Sequence, residues 1–366
     1  MKKIVIKVGT STLTDGGLSL SQKHMIEIVR QIAKAHNARN QIVLVSSGSI
    51  AAGKDVLKPS KLDRSLPEKQ MLSSIGQVHL MNTWKQLFAI YQLQVGQLLL
   101  TKGDFSQRDG YLNVRNTIDS LLHHGVIPIV NENDTVATRE IQFGDNDNIA
   151  ALVANLIAAD QLILLTDQKG LYTADPNRDP NAVLIEDVHV IDKRIIQLAG
   201  KTTKGKGMGA GGMSTKVEAA KLATRSGTPT IIASSKNPTV IAEIIEGKKT
   251  GTYFYAETTP KESRKRWLLS EKVQGVIFVD QGAEKKITEK GASLLPIGIT
   301  GSEKSYGRGS IVEILSSSNR AIARGIVNYS SDEIQKLIGA HSTGIEKILG
   351  YSYGSEVIHR DNMALL

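Results

Sequence analysis

Cysteine is absent from all 366 positions. That excludes disulfides, thiolate zinc sites and cysteine nucleophiles, and it fits a reducing interior. Long apolar runs are also missing. No stretch approaches the roughly 18 consecutive apolar residues of a membrane span, and Lys7 interrupts the apolar run of MKKIVIKVGT, so this segment does not read as a signal peptide. The expected location is the cytoplasm. Acidic residues are missing locally: none occurs between Asp192 and Glu218, while Lys193, Arg194, Lys201, Lys204, Lys206 and Lys216 accumulate there.

The apolar share of 40% supports a substantial core, and the length suggests two domains. The net charge of +9 divides into +3 from Lys261 onward and +6 before it. Such a diffuse excess does not describe a polyanion-binding surface. The acid-free segment instead suggests a local anion site.

Short β-branched runs at Ile4 to Val8, Ile42 to Val45, Val95 to Leu100, Val126 to Val130, Leu162 to Leu165 and Thr230 to Ile232 read as buried strands. Met25, Ile28, Val29 and Ile32 form one helical apolar face, and Ile149, Leu152, Val153, Leu156 and Ile157 form another. Strands alternating with helices predict an α/β fold, a mostly parallel open sheet sandwiched by helices, over residues 1–258. AETTPKESRKR then reads as an exposed polar connector. Val276 to Val279, Ser310 to Leu315 and Ile322 to Val327 predict a second, small β-rich domain over 272–352, punctuated by glycine turns.

The segment GKGMGAGGMSTK, from Gly205 to Lys216, contains five glycines and no acid. Gly207, Gly209 and Gly212 satisfy G-x-G-x-x-G, but no strand leads into them, as a dinucleotide fingerprint requires. A Walker A loop fails because Met213, Ser214 and Thr215 separate Gly212 from its lysine. What remains is a loop entering a helix, with Thr215 and Glu218 at capping-box spacing and Lys216 beside backbone N–H groups suited to phosphate. The ordinary alternative is a solvated basic loop.

Other strand ends carry polar residues. Lys7, Gly9 and Ser11 close the first strand, Ser46 to Ser49 the second, NENDTV the fourth, and Thr166 with Asp167 the fifth. Such ends can meet in one crevice of a parallel sheet. A lone lysine such as Lys7 most often snorkels from an edge. Asp145, Asn146 and Asp147 stand at a helix start, where one of them would suffice as a cap. The cluster fails the calcium-loop pattern, because Ile149 occupies a ligand position.

KVGTS, VSSGSIAAG, NENDTV, FGDNDNIAALVA, LLTDQKGLYTADP and GMGAGGMSTK, in this order, resemble the glutamate 5-kinases of the amino-acid kinase superfamily. The resemblance runs through essentially the whole chain, and the tail from about Lys272 is similar to a PUA domain. It implies ATP-dependent phosphorylation of the side-chain carboxylate of L-glutamate, with Mg2+ bridging the nucleotide phosphates and no protein ligand named for the metal. Lys7 and Lys216 would flank the transferred phosphoryl, Gly9 would offer its N–H to the same oxygens, and Asp147 would hold the two lysines. Ser47, Asp134 and Asn146 match glutamate-binding positions. Thr166, Asp167 and the run Ala210, Gly211, Gly212, Met213, Ser214, Thr215 and Lys216 match nucleotide contacts. Ala210 stands where the family pattern suggests threonine, and Asp145 receives no role.

The resemblance further implies feedback inhibition by proline and a homo-oligomer, dimer or tetramer. Two rival readings are another superfamily kinase, acting on aspartate, acetylglutamate or uridylate, and an RNA-binding or RNA-modifying protein using the PUA-like tail. Few aromatics suited to base stacking and a modest tail charge argue against the second.

Overall fold

The computed structural model describes residues 1–58, 65–137, 146–201 and 212–366. Two compact units emerge, one of residues 1–104 and 115–260, the other of residues 105–114 and 261–366.

The first unit is built on strands β1 (Lys3–Val8), β2 (Gln41–Ser46), β3 (Val95–Leu100), β4 (Ile127–Glu132), β5 (Gln161–Thr166), β6 (Asp187–Val188), β7 (Thr230–Ser234) and β8 (Thr252–Phe254). They form one sheet in the order β3-β4-β2-β1-β5-β7-β8-β6. Only β7 and β8 pair antiparallel. Its helices are α1 (Thr10–Leu13), α2 (Gln22–Asn37), α3 (Ser49–Leu57), α4 (Leu66–Ala89), α5 (Lys102–Ser106), α6 (Arg108–His123), α7 (Asn146–Leu156), α8 (Lys193–Lys201), α9 (Met213–Arg225) and α10 (Val240–Ile245), with α5 and α6 contributing residues 105–114 to the second unit. The predicted open parallel sheet flanked by helices is therefore present.

Strand alternation decides which side chains face which layer. Ile4, Ile6 and Val8 of β1 join Ile42, Leu44, Ile163 and Leu165 in a core with Met25, Ile28, Val29 and Ile32 of α2 and Leu80, Trp84 and Phe88 of α4. Val5 and Lys7 point the other way, toward the layer in which α7 packs against β1 and α9 packs against α7 and β7. Lys7 is thus not an edge residue. It lies on a central strand, with Val45 of β2 on one side and Leu164 of β5 on the other.

Helices α3 and α4 meet backbone to backbone. A methyl at Gly53 would stand 1.9 Å from the Leu72 carbonyl oxygen, and one at Gly76 would stand 1.8 Å from that of Ser49. Only hydrogen fits at either position.

The second unit carries α11 (Pro260–Ser270), α12 (Gln281–Lys290), α13 (Ser331–Leu337) and α14 (Ile345–Leu349). Its sheet contains β9 (Gly275–Val279), β10 (Ile299–Glu303), β11 (Ile311–Leu315), β12 (Ala321–Ile326) and β13 (Met363–Leu365), in the order β10-β9-β11-β12-β13. Ile277, Val279, Val312, Ile314 and Tyr329 centre its core. The segment expected to be an exposed connector is corrected in part: from Pro260 it is helical, as proline at a first helical position permits, and Leu268 anchors it by burial.

Candidate active site

The central feature is an ion cluster formed by three elements. Lys7 reaches off β1, Asp147 stands in the first turn of α7, and Lys216 stands in the first turn of α9. Lys7 Nζ lies 2.7 Å from Asp147 Oδ1, and Lys216 Nζ lies 3.3 Å from Oδ2. All three are buried, with 3%, 0% and 4% exposure for Lys7, Asp147 and Lys216. Thr215 Oγ1 donates to Asp147 Oδ2 across 2.7 Å.

Burial alone would raise the Asp147 carboxyl. The charges of Lys216 and Lys7, with hydrogen bonds from Lys7 and Thr215, outweigh burial and hold it far below the usual carboxylate range. Lys7 moves down from its ordinary value, chiefly through burial and with help from Lys216, against the pull of Asp147. An anion placed between the two ammonium groups would relieve that strain. A methyl built on Gly9 would stand 3.3 Å from Lys7 Nζ, so the ammonium overhangs bare backbone at the end of β1. The capping-box expectation for Thr215 is corrected. Gly212 is the N-cap of α9, and the Thr215 hydroxyl is committed to Asp147.

A second group lies along the ends of β2 and β4. The backbone N–H of Glu132 donates to Asn131 Oδ1 at 2.9 Å and to Asn146 Oδ1 at 3.2 Å, which fixes both amides. Asn146 Nδ2 therefore donates to Asn131 Oδ1 at 2.9 Å and to Ser47 Oγ at 3.1 Å. Because Ser47 accepts there, its own O–H is oriented to donate elsewhere. Gly48, with φ at 105°, provides the left-handed turn that carries β2 into α3. One residue further, Ser49 Oγ donates to Asp134 Oδ2 at 2.9 Å, and Ser73 Oγ donates to the same oxygen at 2.6 Å. Burial raises the Asp134 carboxyl, and the two hydroxyl bonds offset this only in part.

Thr166 ends β5 and Asp167 follows it, with Thr166 Oγ1 donating to Asp167 Oδ1 at 3.0 Å. The Thr166 carbonyl accepts from Ser235 N at 2.8 Å. Gly212, Met213 and Ser214 open α9, with Met213 buried. Ala210, Gly211 and Asp145 lie outside the described residues. The structure thus brings Lys7, Gly9, Asp147, Thr215 and Lys216 together, and joins Ser47 to Asn146 through one hydrogen bond. Ser73 and Gln77 were not singled out from the sequence, and Ser49 and Asn131 entered only as members of the polar strand ends, with no role of their own. Their signal was weak: serines in a helical pattern and an asparagine in NENDTV that reads equally well as turn chemistry.

Lys7, Asp147 and Lys216 all fall within the stretch matched by one family model. The model of the amino acid kinase family matches residues 2–234. The chain belongs to the amino acid kinase family. In this amino acid kinase, residues 275–349 also match the PUA domain model. Glutamate 5-kinase of Shigella flexneri is 48% identical over 360 residues, covering 98% of each chain. Glutamate 5-kinase of Enterobacter sp. (strain 638) is 47% identical over 362 residues, covering 99% of this amino acid kinase and 98% of the relative. Membership of a kinase family implies use of ATP, with Mg2+ its usual companion. Among the described residues, no helix is long and apolar enough to cross a membrane.

Proposed function

We propose that this amino acid kinase transfers the γ-phosphoryl of ATP to the side-chain carboxylate of L-glutamate, giving L-glutamyl 5-phosphate for proline synthesis. The observation that carries the reading is the buried Lys7–Asp147–Lys216 cluster, supported by near full-length similarity to proteins named glutamate 5-kinase.

Phosphoryl transfer needs charge stabilisation and alignment rather than a covalent intermediate. Lys7 would stabilise charge on one side of the moving group and Lys216 on the other, with Gly9 N–H donating to its oxygens. Asp147 would keep both ammonium groups in place. It would not have to act as a base as well as hold Lys7 by one oxygen and Lys216 and Thr215 by the other. None is needed, because a glutamate side chain is already ionised near neutral pH. No protein ligand is assigned to Mg2+, which would supply charge neutralisation on the nucleotide phosphates.

Ser47 O–H would bind a substrate carboxylate, with Asn146, whose two side-chain N–H groups are spent on Asn131 and Ser47, orienting that hydroxyl, and Asp134 would bind the substrate ammonium. Thr166, Asp167 and residues 210–216 would line the nucleotide. Residues 1–258 would form the catalytic domain and 272–352 the PUA-like domain, in a cytoplasmic homo-oligomer inhibited by proline. The test incubates the protein with ATP, Mg2+ and hydroxylamine and compares hydroxamate formed from glutamate, aspartate and N-acetylglutamate. Product from glutamate is expected, and product from aspartate alone overturns the reading.

A further inference from the structure

Both polar groups on the acceptor side of the site are held by one helix that contributes no predicted substrate contact. Ser73 and Gln77 stand four residues apart on α4, hence on one face. Ser73 is buried and donates to Asp134 at 2.6 Å, while its hydroxyl lies 2.9 Å from that of Ser49, the other donor to Asp134. Gln77 Oε1 accepts from Asn131 Nδ2 at 2.7 Å. Asn131 in turn accepts from Asn146, whose Nδ2 also reaches Ser47. Gln70, three residues before Ser73, donates to the Thr135 carbonyl at 3.1 Å, just beyond Asp134. The close approach of Gly76 to the Ser49 carbonyl fixes the distance between α4 and the turn bearing Ser47 and Ser49.

We propose that Ser73 and Gln77 are positioning residues for the glutamate subsite. Ser73 aims the Asp134 carboxylate, and Gln77, through Asn131, sets the Asn146 amide so that Ser47 faces substrate as a donor. This rests on the glutamate reading above. An ionised carboxylate that accepts two hydroxyl bonds cannot swing toward solvent without breaking both. The Glu132 N–H sets which way both amides face, and Gln77 adds the acceptor for Asn131 Nδ2 that holds the chain at that geometry.

The test is initial-rate kinetics on Ser73→Ala and Gln77→Met, each varied in glutamate and in ATP, with thermal melting as a fold control. Each variant is expected to raise KM for glutamate about tenfold, the loss of one hydrogen bond in a site of this kind, with KM for ATP within about twofold of wild type. Placed on Asp134→Asn, Ser73→Ala is expected to add almost nothing, because its target is already altered. Placed on Asn146→Ala, Gln77→Met is expected to be equally silent. Unchanged glutamate KM in both single variants, or full additivity in both pairs, overturns the proposal. If wild type makes no product from glutamate at all, the functional reading fails first and the proposal falls with it.

Discussion

Asp147 holds Lys7 by one carboxylate oxygen and Lys216 by the other, and its position decides where both cations stand. Replacing it by asparagine leaves two buried ammonium groups with a neutral neighbour. Asp147→Asn is expected to lower stability by about 3–5 kcal/mol, the range for breaking a buried pair. Urea unfolding followed by circular dichroism measures this.

The cations differ from Asp147 in what their loss does to the fold. After Lys216→Ala or Lys7→Met, the carboxylate still has one buried ammonium, so the fold is expected to persist. Turnover is expected to fall by at least about 10²-fold, because transition-state charge loses a stabilising group. A hydroxamate assay beside a melting curve separates the two effects, and near-normal turnover in Lys216→Ala counts against the assignment.

Asp134 and Asp147 impose opposite pH dependences. The raised Asp134 carboxyl penalises the fold while ionised, and the penalty is relieved as pH falls through its folded pKa toward the unfolded value of about 3.9. Asp134→Asn is expected to raise the melting temperature at pH 7, with the gain vanishing below about pH 4. The depressed Asp147 carboxyl contributes stability that is complete above its unfolded value and is lost as pH falls toward its folded one. KM for glutamate is expected to rise as pH falls toward the raised Asp134 pKa, because binding an ammonium requires Asp134 ionised. Melting and kinetic profiles across pH read both effects.

At Gly76 a methyl has nowhere to go, since the Ser49 carbonyl oxygen and the Gly53 nitrogen stand 1.8 and 2.2 Å from its place. Gly76→Ala is expected to push α3 and α4 apart at a cost of about 1–3 kcal/mol or more, read as a lower urea midpoint.

The parallel sheet was legible because its strands are buried on both faces and so appear as unbroken apolar runs. β6 and β8, of two and three residues, carry no comparable signal. Lys7 suggested a sheet edge because a charge inside an apolar run is costly unless paired, and its counterion comes from α7, far along the chain. Thr215 suggested a cap because spacing shows only neighbours in sequence, whereas its partner Asp147 belongs to another helix. Helix α11 was hidden by its own polarity: among its eleven residues Leu268 alone is buried, so composition resembled a linker. The face of α4 bearing Ser73 and Gln77 was invisible for a related reason, since serine and glutamine report nothing until their partners are known.

The ion cluster joins β1, α7 and α9, so it cannot exist on a partly made chain. A nascent polypeptide emerging from the ribosome must expose the residues of α9 before the carboxylate at the start of α7 has both its cations. Until then the anion has at most one counterion, and the pair of cations that the site needs is incomplete. Completion of the cluster is thereby tied to late translation, and truncated products ending before α9 carry the Lys7–Asp147 pair without its second cation.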